Sequence, residues 1–200
     1  MVKRLTMLSC SALFVSSVYA APVYWAENDH YYELVESASD WNVAKMAAEG
    51  MALSGGYVGH LVTITSAAEN LWISSTFGGA LIDPFCWIGA YQTDPALATD
   101  EGWAWITGES WVFENWGDDE PNDHWQDWAE YPEYTGQYET VAHFWLDTNA
   151  DGMTWADTLP SFSGMYSIVE YERLSPIPEP TTVLLFGAGL AGLVGIARRK

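Results

Sequence analysis

Hydrophobic and polar positions in the first half of the chain switch between strand-like and helix-like spacing. Residues 30–35 mix aromatic and aliphatic side chains, which is typical of a strand. Apolar residues then recur at helical spacing over 41–51, after the capping residues Ser39 and Asp40, and Gly55-Gly56 is predicted to end this helix. The other elements predicted for this half are a strand over 60–65, a helix that Ser66 and Glu69 open as a capping box, and a strand over 85–91.

The second half shows few regular elements until residue 140. Glycine, proline, aspartate and six tryptophans occupy 92–138 without a clear period, and a long irregular region inside a small domain is usually functional. Three closing strands are predicted over 140–146, 153–155 and 165–171. The element order therefore predicts an α+β fold with two helices, a small and mostly antiparallel sheet, and one long irregular loop.

The first twenty residues have the layout of a cleavable secretory signal peptide. Lys3 and Arg4 precede an apolar run from Leu5 to Val18, and small-residue cleavage chemistry follows at 18–20. A membrane anchor is the alternative, but the run is short. We therefore predict a signal peptide over 1–20 and a folded domain over 21–175.

The last residues combine a proline-rich entry, an apolar run and a basic end. An uncharged helix over 181–197 would be roughly 25 Å long, enough to span a bilayer, with Arg198-Arg199-Lys200 on the cytoplasmic side. Together with Pro178-Glu179-Pro180, residues 176–200 resemble the PEP-CTERM sorting signal of Gram-negative bacteria. That resemblance implies processing by an exosortase and delivery to the cell surface or an exopolysaccharide matrix, with transient or permanent membrane anchoring.

Acidic residues dominate the predicted domain. Of the seven lysines and arginines only Lys45 and Arg173 lie in it, whereas of the 27 acidic residues only Glu179 lies outside it. Such a surface repels nucleic acid and anionic membranes, and it suits cation binding. Cys86 is the one cysteine of the domain, so we expect no internal disulfide and a fold that depends on packing.

Several segments, in the right order, are similar to the C-type lectin-like domain. The matching segments are 59–64, 66–70, Trp87-Ile88-Gly89, 102–105, Gly108-Glu109, Asn115-Trp116, Glu120-Pro121-Asn122-Asp123, Trp155-Ala156-Asp157 and 166–171. The resemblance as a whole extends from Tyr31 to Glu172, nearly all of the predicted domain. The resemblance implies a double-loop fold, in which strands near the two ends of the domain pair and a long loop carries a calcium site that binds sugars.

The resemblance also implies particular ligands. Glu120-Pro121-Asn122 corresponds to the family's mannose-type motif, with a cis peptide before Pro121, and the Ca²⁺ ligands would be Glu120, Asn122, Glu139 and Asp157. Calcium takes six to eight oxygens, two of which neighbouring sugar hydroxyls can provide. Ala156 departs from the family's Asn, which removes one ligand and one hydrogen-bond donor to sugar. Water or another carboxylate would have to compensate, with Asp118, Asp119, Asp123 and Asp127 as the candidates.

Aromatic residues surround the predicted site in the sequence. Trp125, Trp128, Tyr131 and Tyr134 follow the motif within the extended segment 124–138. Aromatic faces stack on sugar rings, so Trp125 and Trp128 are predicted as part of the ligand-binding site. The alternative, which the sequence leaves open, is that they cover a local hydrophobic cluster.

Two weaker patterns favour ordinary structural roles. Residues 147–152 copy the first half of a calcium loop but lack the closing Glu, so a polar hairpin turn is favoured over a second cation site. His124 and His143 form a weak candidate pair for a transition metal, without cysteine support. The usual nucleophile, phosphate-loop and zinc-protease motifs are lacking from the sequence, so we expect a binding protein and not an enzyme.

These patterns predict an extracellular carbohydrate-binding module with calcium as its cofactor. The expected partners are a polysaccharide or glycan, other matrix proteins, and a processing exosortase, with the membrane contacted through the tail and nucleic acid excluded. The alternative is a structural or protein-binding matrix component that keeps the fold and does not bind sugar, which the loss of Asn at position 156 favours.

Overall fold

A computed structural model describes residues 21–81, 85–124, 136–149 and 151–173. The predicted signal peptide over 1–20, the predicted helix over 181–197, and Trp125 and Trp128 lie outside the described residues. Within the described residues, no helix has the length and apolar character needed to cross a membrane.

The described residues form nine strands and two α-helices. Their bounds are β1 Val23–Trp25, β2 His30–Ser39, α1 Trp41–Glu49, β3 Ala52–Leu53, β4 Tyr57–Leu61, α2 Ala67–Phe77, β5 Cys86–Gln92, β6 Trp103–Trp105, β7 Val141–Asn149, β8 Gly152–Thr158 and β9 Met165–Arg173. A short 3₁₀ turn over Gly78–Ala80 follows α2.

The strands form one sheet that brings the two ends of the described chain together. Its main order is β1-β2-β9-β5-β7-β8, with β4 also on β9, β3 on β4 and β6 on β5. Every pair is antiparallel except β5 with β9. The pairing of β2 with β9 joins residues far apart in sequence, such as Tyr31 with Tyr171. The predicted α+β class and the predicted pairing of the end strands are both confirmed.

Both predicted helix starts are confirmed, but one helix end is wrong. The Asp40 side chain accepts a hydrogen bond from the backbone N–H of Val43 at 2.9 Å, and Ser66 accepts one from Glu69 at 3.2 Å. Helix α1 ends at Gly50, whose backbone N–H bonds to carbonyls of the last turn, and not at Gly55-Gly56. Those two glycines have φ of 87° and 84° and turn the chain from β3 into β4.

The strand predicted over 60–65 is also displaced. Strand β4 covers Tyr57–Leu61, and the chain leaves the sheet soon after Leu61. The backbone N–H of Thr63 donates to the Glu170 carboxylate at 3.0 Å. A side chain therefore takes the hydrogen bond that a neighbouring strand would otherwise accept, and the ladder stops there.

Two hydrophobic clusters pack on opposite faces of the sheet. Ile88 belongs to one cluster and Trp87 to the other, as the alternation along a strand requires. Within the first cluster, tryptophans of the irregular region pack around Trp155, with centroids 5.6 Å away for Trp105, 6.1 Å for Trp111 and 5.9 Å for Trp116. Trp105 is a core residue, whereas Trp111 and Trp116 are half-buried against the core, and together they fix the long loop to the sheet.

Gly89 allows β5 to pass close to another segment. A Cβ at this position would lie 2.8 Å from the carbonyl oxygen of Leu61 and 3.0 Å from that of Val62. The Gly89 N–H donates to Val62 at 2.7 Å. The Trp87-Ile88-Gly89 pattern therefore places two large side chains on opposite faces and then brings two backbones into contact.

Candidate functional site

Strand β8 holds the long loop in place through backbone hydrogen bonds. Trp155 donates to the carbonyl of Asn115 at 2.8 Å and accepts from the N–H of Gly117 at 2.9 Å. The Asn115 side chain adds a bond to the Met153 carbonyl at 3.0 Å. The turn that begins at Gly117 is therefore docked directly beside the end of β8.

This turn carries the Glu-Pro-Asn motif. The Glu120 N–H donates to the Gly117 carbonyl at 3.1 Å, and the Glu120–Pro121 peptide is cis, as predicted. Asp119 and Asp123 flank the motif with φ of 63° and 55°, in the left-handed region that aspartate tolerates. The chain therefore reverses on both sides of the motif.

Asp157 at the end of β8 organises the backbone around it. Its two carboxylate oxygens accept from the N–H groups of Asn122 at 3.0 Å and Asp123 at 3.1 Å. Asp123 in turn accepts from the N–H of Glu139 at 2.6 Å. These hydrogen bonds connect the motif, β8 and the segment that leads into β7.

The four predicted ligands meet at one cavity of about 500 Å³. Glu120, Asn122, Glu139 and Asp157 all line it, and so does Ala156. Carboxylate oxygens of Asp123, Glu139 and Asp157 lie within 4.8 Å of one another. Asp123, which the sequence suggested only as one of several substitutes, is therefore part of the central cluster.

The carboxylates repel one another. Burial, followed by the hydrogen bond to Asp157 and the neighbouring negative charges, raises the pKa of Glu120 to about 9. Burial is also the main cause that raises the pKa of Asp123. The lining residues include neither lysine nor arginine. Lys45 pairs with Glu49 on α1, and Arg173 lies over the Tyr57 ring, so the lysine and the arginine of the described chain are engaged elsewhere.

Sequence reasoning missed the other wall of the cavity. Phe85, Trp145, Phe162 and Met165 line it beside the two predicted histidines, His124 and His143. Phe85 precedes β5, Trp145 lies on β7, and the other two surround the start of β9. Their sequence patterns are those of ordinary strand residues, so no local signal distinguishes them.

The fold and the cluster together define a C-type lectin-like domain architecture. C-type lectin CEL-I from Cucumaria echinata is 18% identical, with a TM-score of 0.54, over 76% of this chain and 96% of that protein. Human lithostathine is 16% identical, with a TM-score of 0.56, over 76% and 97%. The mouse scavenger receptor C-type lectin carbohydrate-recognition domain is 22% identical, with a TM-score of 0.52, over 78% and 96%.

Two further comparisons concern the sequence itself. Residues 176–200 match the PEP-CTERM protein-sorting motif, which confirms the predicted sorting signal and indicates export. Halomucin from Haloquadratum walsbyi is 31% identical over 156 residues, which is 76% of this chain. The chain spans only 2% of the length of Halomucin. The described residues thus have the C-type lectin-like fold, in a chain that ends in a PEP-CTERM motif.

Proposed function

We propose that this chain is a non-catalytic, calcium-dependent saccharide-binding module of the cell surface or exopolysaccharide matrix. The observation that carries the proposal is the cluster of Asp123, Glu139 and Asp157 oxygens, within 4.8 Å of one another beside a cavity whose lining includes neither lysine nor arginine. Buried carboxylates need a compensating charge. Because no lysine or arginine of the described residues lines this place, a divalent cation from solution is the natural partner.

Calcium fits this donor set better than a transition metal does. Oxygens that coordinate one ion at 2.3–2.6 Å lie at most about 5 Å apart, which agrees with the observed spacing. Glu120, Asn122, Asp123, Glu139 and Asp157 would hold the ion, and Asp123 would replace the oxygen that Ala156 lacks. The bound ion would supply open coordination positions for two neighbouring sugar hydroxyls, and the flanking carboxylates would accept hydrogen bonds from them.

The C-terminal motif supports the proposed location. Processing by an exosortase would release the module to the surface or matrix, where polysaccharide is the expected ligand. The domain is predicted over 21–175, between the signal peptide and the tail. Trp125 and Trp128 remain predicted neighbours of the site.

The direct test is calcium binding by isothermal titration calorimetry. The wild-type chain should bind calcium with a Kd of roughly 0.1–1 mM, the range of extracellular modules. Asp157→Asn should weaken binding at least tenfold, because it removes one of the clustered charges while keeping an oxygen that can accept from Asn122. Equilibrium dialysis with mannose-type glycans should then show binding that a chelator abolishes.

The control is Glu101→Gln, which removes an equal charge from an exposed loop position. It should leave the calcium affinity within about twofold of wild type. Equal weakening by both variants would mean that the domain attracts cations only through its overall negative charge, and the proposed site would be rejected.

A second candidate function is a matrix scaffold that keeps the fold but does not bind sugar. Ala156 favours it, because this residue lines the cavity without offering a polar side-chain atom. Ala156→Asn distinguishes the two functions. If glycan binding occurs only after this change, the natural protein is the scaffold.

A further inference from the structure

The cavity has two chemically different walls. We call Glu120, Asn122, Glu139 and Asp157 the oxygen wall, and most of the other lining residues are aromatic or apolar. We call Phe85, His143 and Trp145 the aromatic wall. The proposed calcium site uses only the first of these surfaces, so the second has no role yet.

The aromatic wall is a continuous group of rings. The ring centroids of Phe85 lie 5.1 Å from His143 and 5.2 Å from Trp145, and those two rings are 5.8 Å apart. Trp145 and Phe85 are half-buried, unlike the fully buried Trp87, Trp105 and Trp155 of the core. Part of the aromatic wall therefore stays accessible.

The two walls adjoin at Gly117. A Cβ built on this glycine would lie 3.4 Å from Trp145 Cδ1 and 3.6 Å from Glu120 Cγ. The indole edge and the Glu120 side chain thus approach the same point. One ligand of modest size can contact both walls.

Ala156 keeps the aromatic wall apolar where it meets the oxygen wall. In the β7–β8 register Ala156 lies directly opposite His143, so their side chains share one face of the sheet. An Asn at this position would place an amide beside the rings. The methyl group instead extends the apolar surface towards Asp157, the next residue along β8.

We infer, on the basis of the proposed calcium-dependent function, that this cavity binds a saccharide carrying an apolar acyl substituent. The sugar hydroxyls meet the oxygen wall, and the acyl chain packs against Phe85 and Trp145. A cavity of about 500 Å³ has the size of a typical small-molecule site. An aromatic surface with a few converging polar groups is also typical of such sites.

A ligand series on the unaltered full chain tests this inference. Calorimetry in calcium compares methyl α-mannoside with its monobutyryl esters, one for each hydroxyl position. At least one ester should bind tenfold or more tightly than the parent sugar, because each buried methylene adds about 0.8 kcal/mol. If every ester binds no better than the parent, the inference is overturned.

Variants then locate the acyl chain. Phe85→Ala should reduce the ratio of ester to parent affinity to below threefold, and Phe85→Leu should reduce it less. The matched control is Tyr24→Ala, an aromatic deletion on β1 at the far end of the sheet order, which should leave the ratio unchanged. A ratio that Phe85→Ala does not change would place the chain elsewhere and overturn the assignment.

Repeating the ligand series in a calcium chelator separates this inference from the proposed function. Calcium-dependent binding of the parent sugar with no gain for any ester contradicts only the acyl site. Ester binding that survives the chelator, with Phe85→Ala still reducing it, supports the acyl site and contradicts the calcium role.

Discussion

At the scale of single residues, one buried asparagine joins helix α2 to strand β8. Asn70 on α2 is fully buried, and its amide donates to the carbonyls of Asp151 at 2.6 Å and Met153 at 2.9 Å. Its carbonyl accepts from the Trp155 indole at 3.0 Å. One side chain therefore fixes α2 to β8, the strand that carries Ala156 and Asp157.

We predict that Asn70→Ala lowers the free energy of unfolding by about 3 kcal/mol. The change removes the bond to the Asp151 carbonyl and the acceptor of the Trp155 indole N–H, and each such buried loss costs about 1–3 kcal/mol. The Met153 carbonyl keeps its bond from the Asn115 side chain. Urea unfolding followed by circular dichroism measures the effect. Asn42→Ala, at an exposed position on α1, is the control and should stay within about 0.5 kcal/mol of wild type. Equal losses would refute the role of the Asn70 amide.

At the scale of elements, a buried polar network joins β2, α2 and β9. The Tyr32 hydroxyl lies 2.6 Å from Glu69 and 3.1 Å from Glu170, and Glu69 also accepts from Thr65 at 2.9 Å. His30 lies 2.6 Å from Glu170. Burial and the charge of Glu170 raise the pKa of Glu69 to about 7. The network therefore holds the three elements together, but it also buries the carboxyl groups of Glu69 and Glu170 close to each other.

We predict that Glu69 makes stability decrease as pH rises. Because the pKa of Glu69 is higher in the folded state than its ordinary value of 4.5, its contribution is fully present below about pH 4.5 and is lost as pH rises to about 7. The loss amounts to about 3 kcal/mol. Glu69→Gln should remove this part of the pH dependence.

The measurement is urea unfolding at pH 4.5, 6 and 8 in chelator, so that the cation site contributes equally to both proteins. Glu101→Gln is the control and should keep the wild-type pH dependence. The prediction fails if the stability of Glu69→Gln and that of wild type differ by a constant amount over the whole range.

At the scale of the whole molecule, the basic and acidic residues are separated along the chain. Most of the basic residues lie in the two end segments, and nearly all of the acidic residues lie between them. Net charge of one sign keeps an exported domain soluble but destabilises its compact state. A bound divalent cation would relieve part of this repulsion where the carboxylates are closest.

We predict that calcium raises the melting temperature of the chain. With a Kd of roughly 0.1–1 mM, 10 mM calcium stabilises the folded state by about 1.4–2.7 kcal/mol, which corresponds to roughly 3–10 °C for a domain of this size. Differential scanning calorimetry in 10 mM calcium chloride, against sodium chloride of the same ionic strength, measures the shift. Asp157→Asn should lose most of it, and a shift of equal size in both proteins would indicate screening instead of binding.

Much of the fold could be predicted because it depends on local rules. Asp40 and Ser66 cap the helices that follow them. Strand-like residue patterns around Tyr32, Trp87 and Ile168 identified β2, β5 and β9. The resemblance to the C-type lectin-like domain supplied their arrangement. The errors at Gly55-Gly56 and over 60–65 arose where a backbone cap or a distant side chain, that of Glu170, decided where the element ended.

The sequence by itself determined the α+β class, the Glu-Pro-Asn motif, the loss of Asn at position 156 and the shortage of basic residues. Only the tertiary structure decided that Asp123 joins Glu139 and Asp157, and that Phe85 and Trp145 line the same cavity as the last two. Caps and periods act between near neighbours, so a sequence displays them. A cavity depends on side chains that distant segments bring together, and their proximity arises only when the sheet forms.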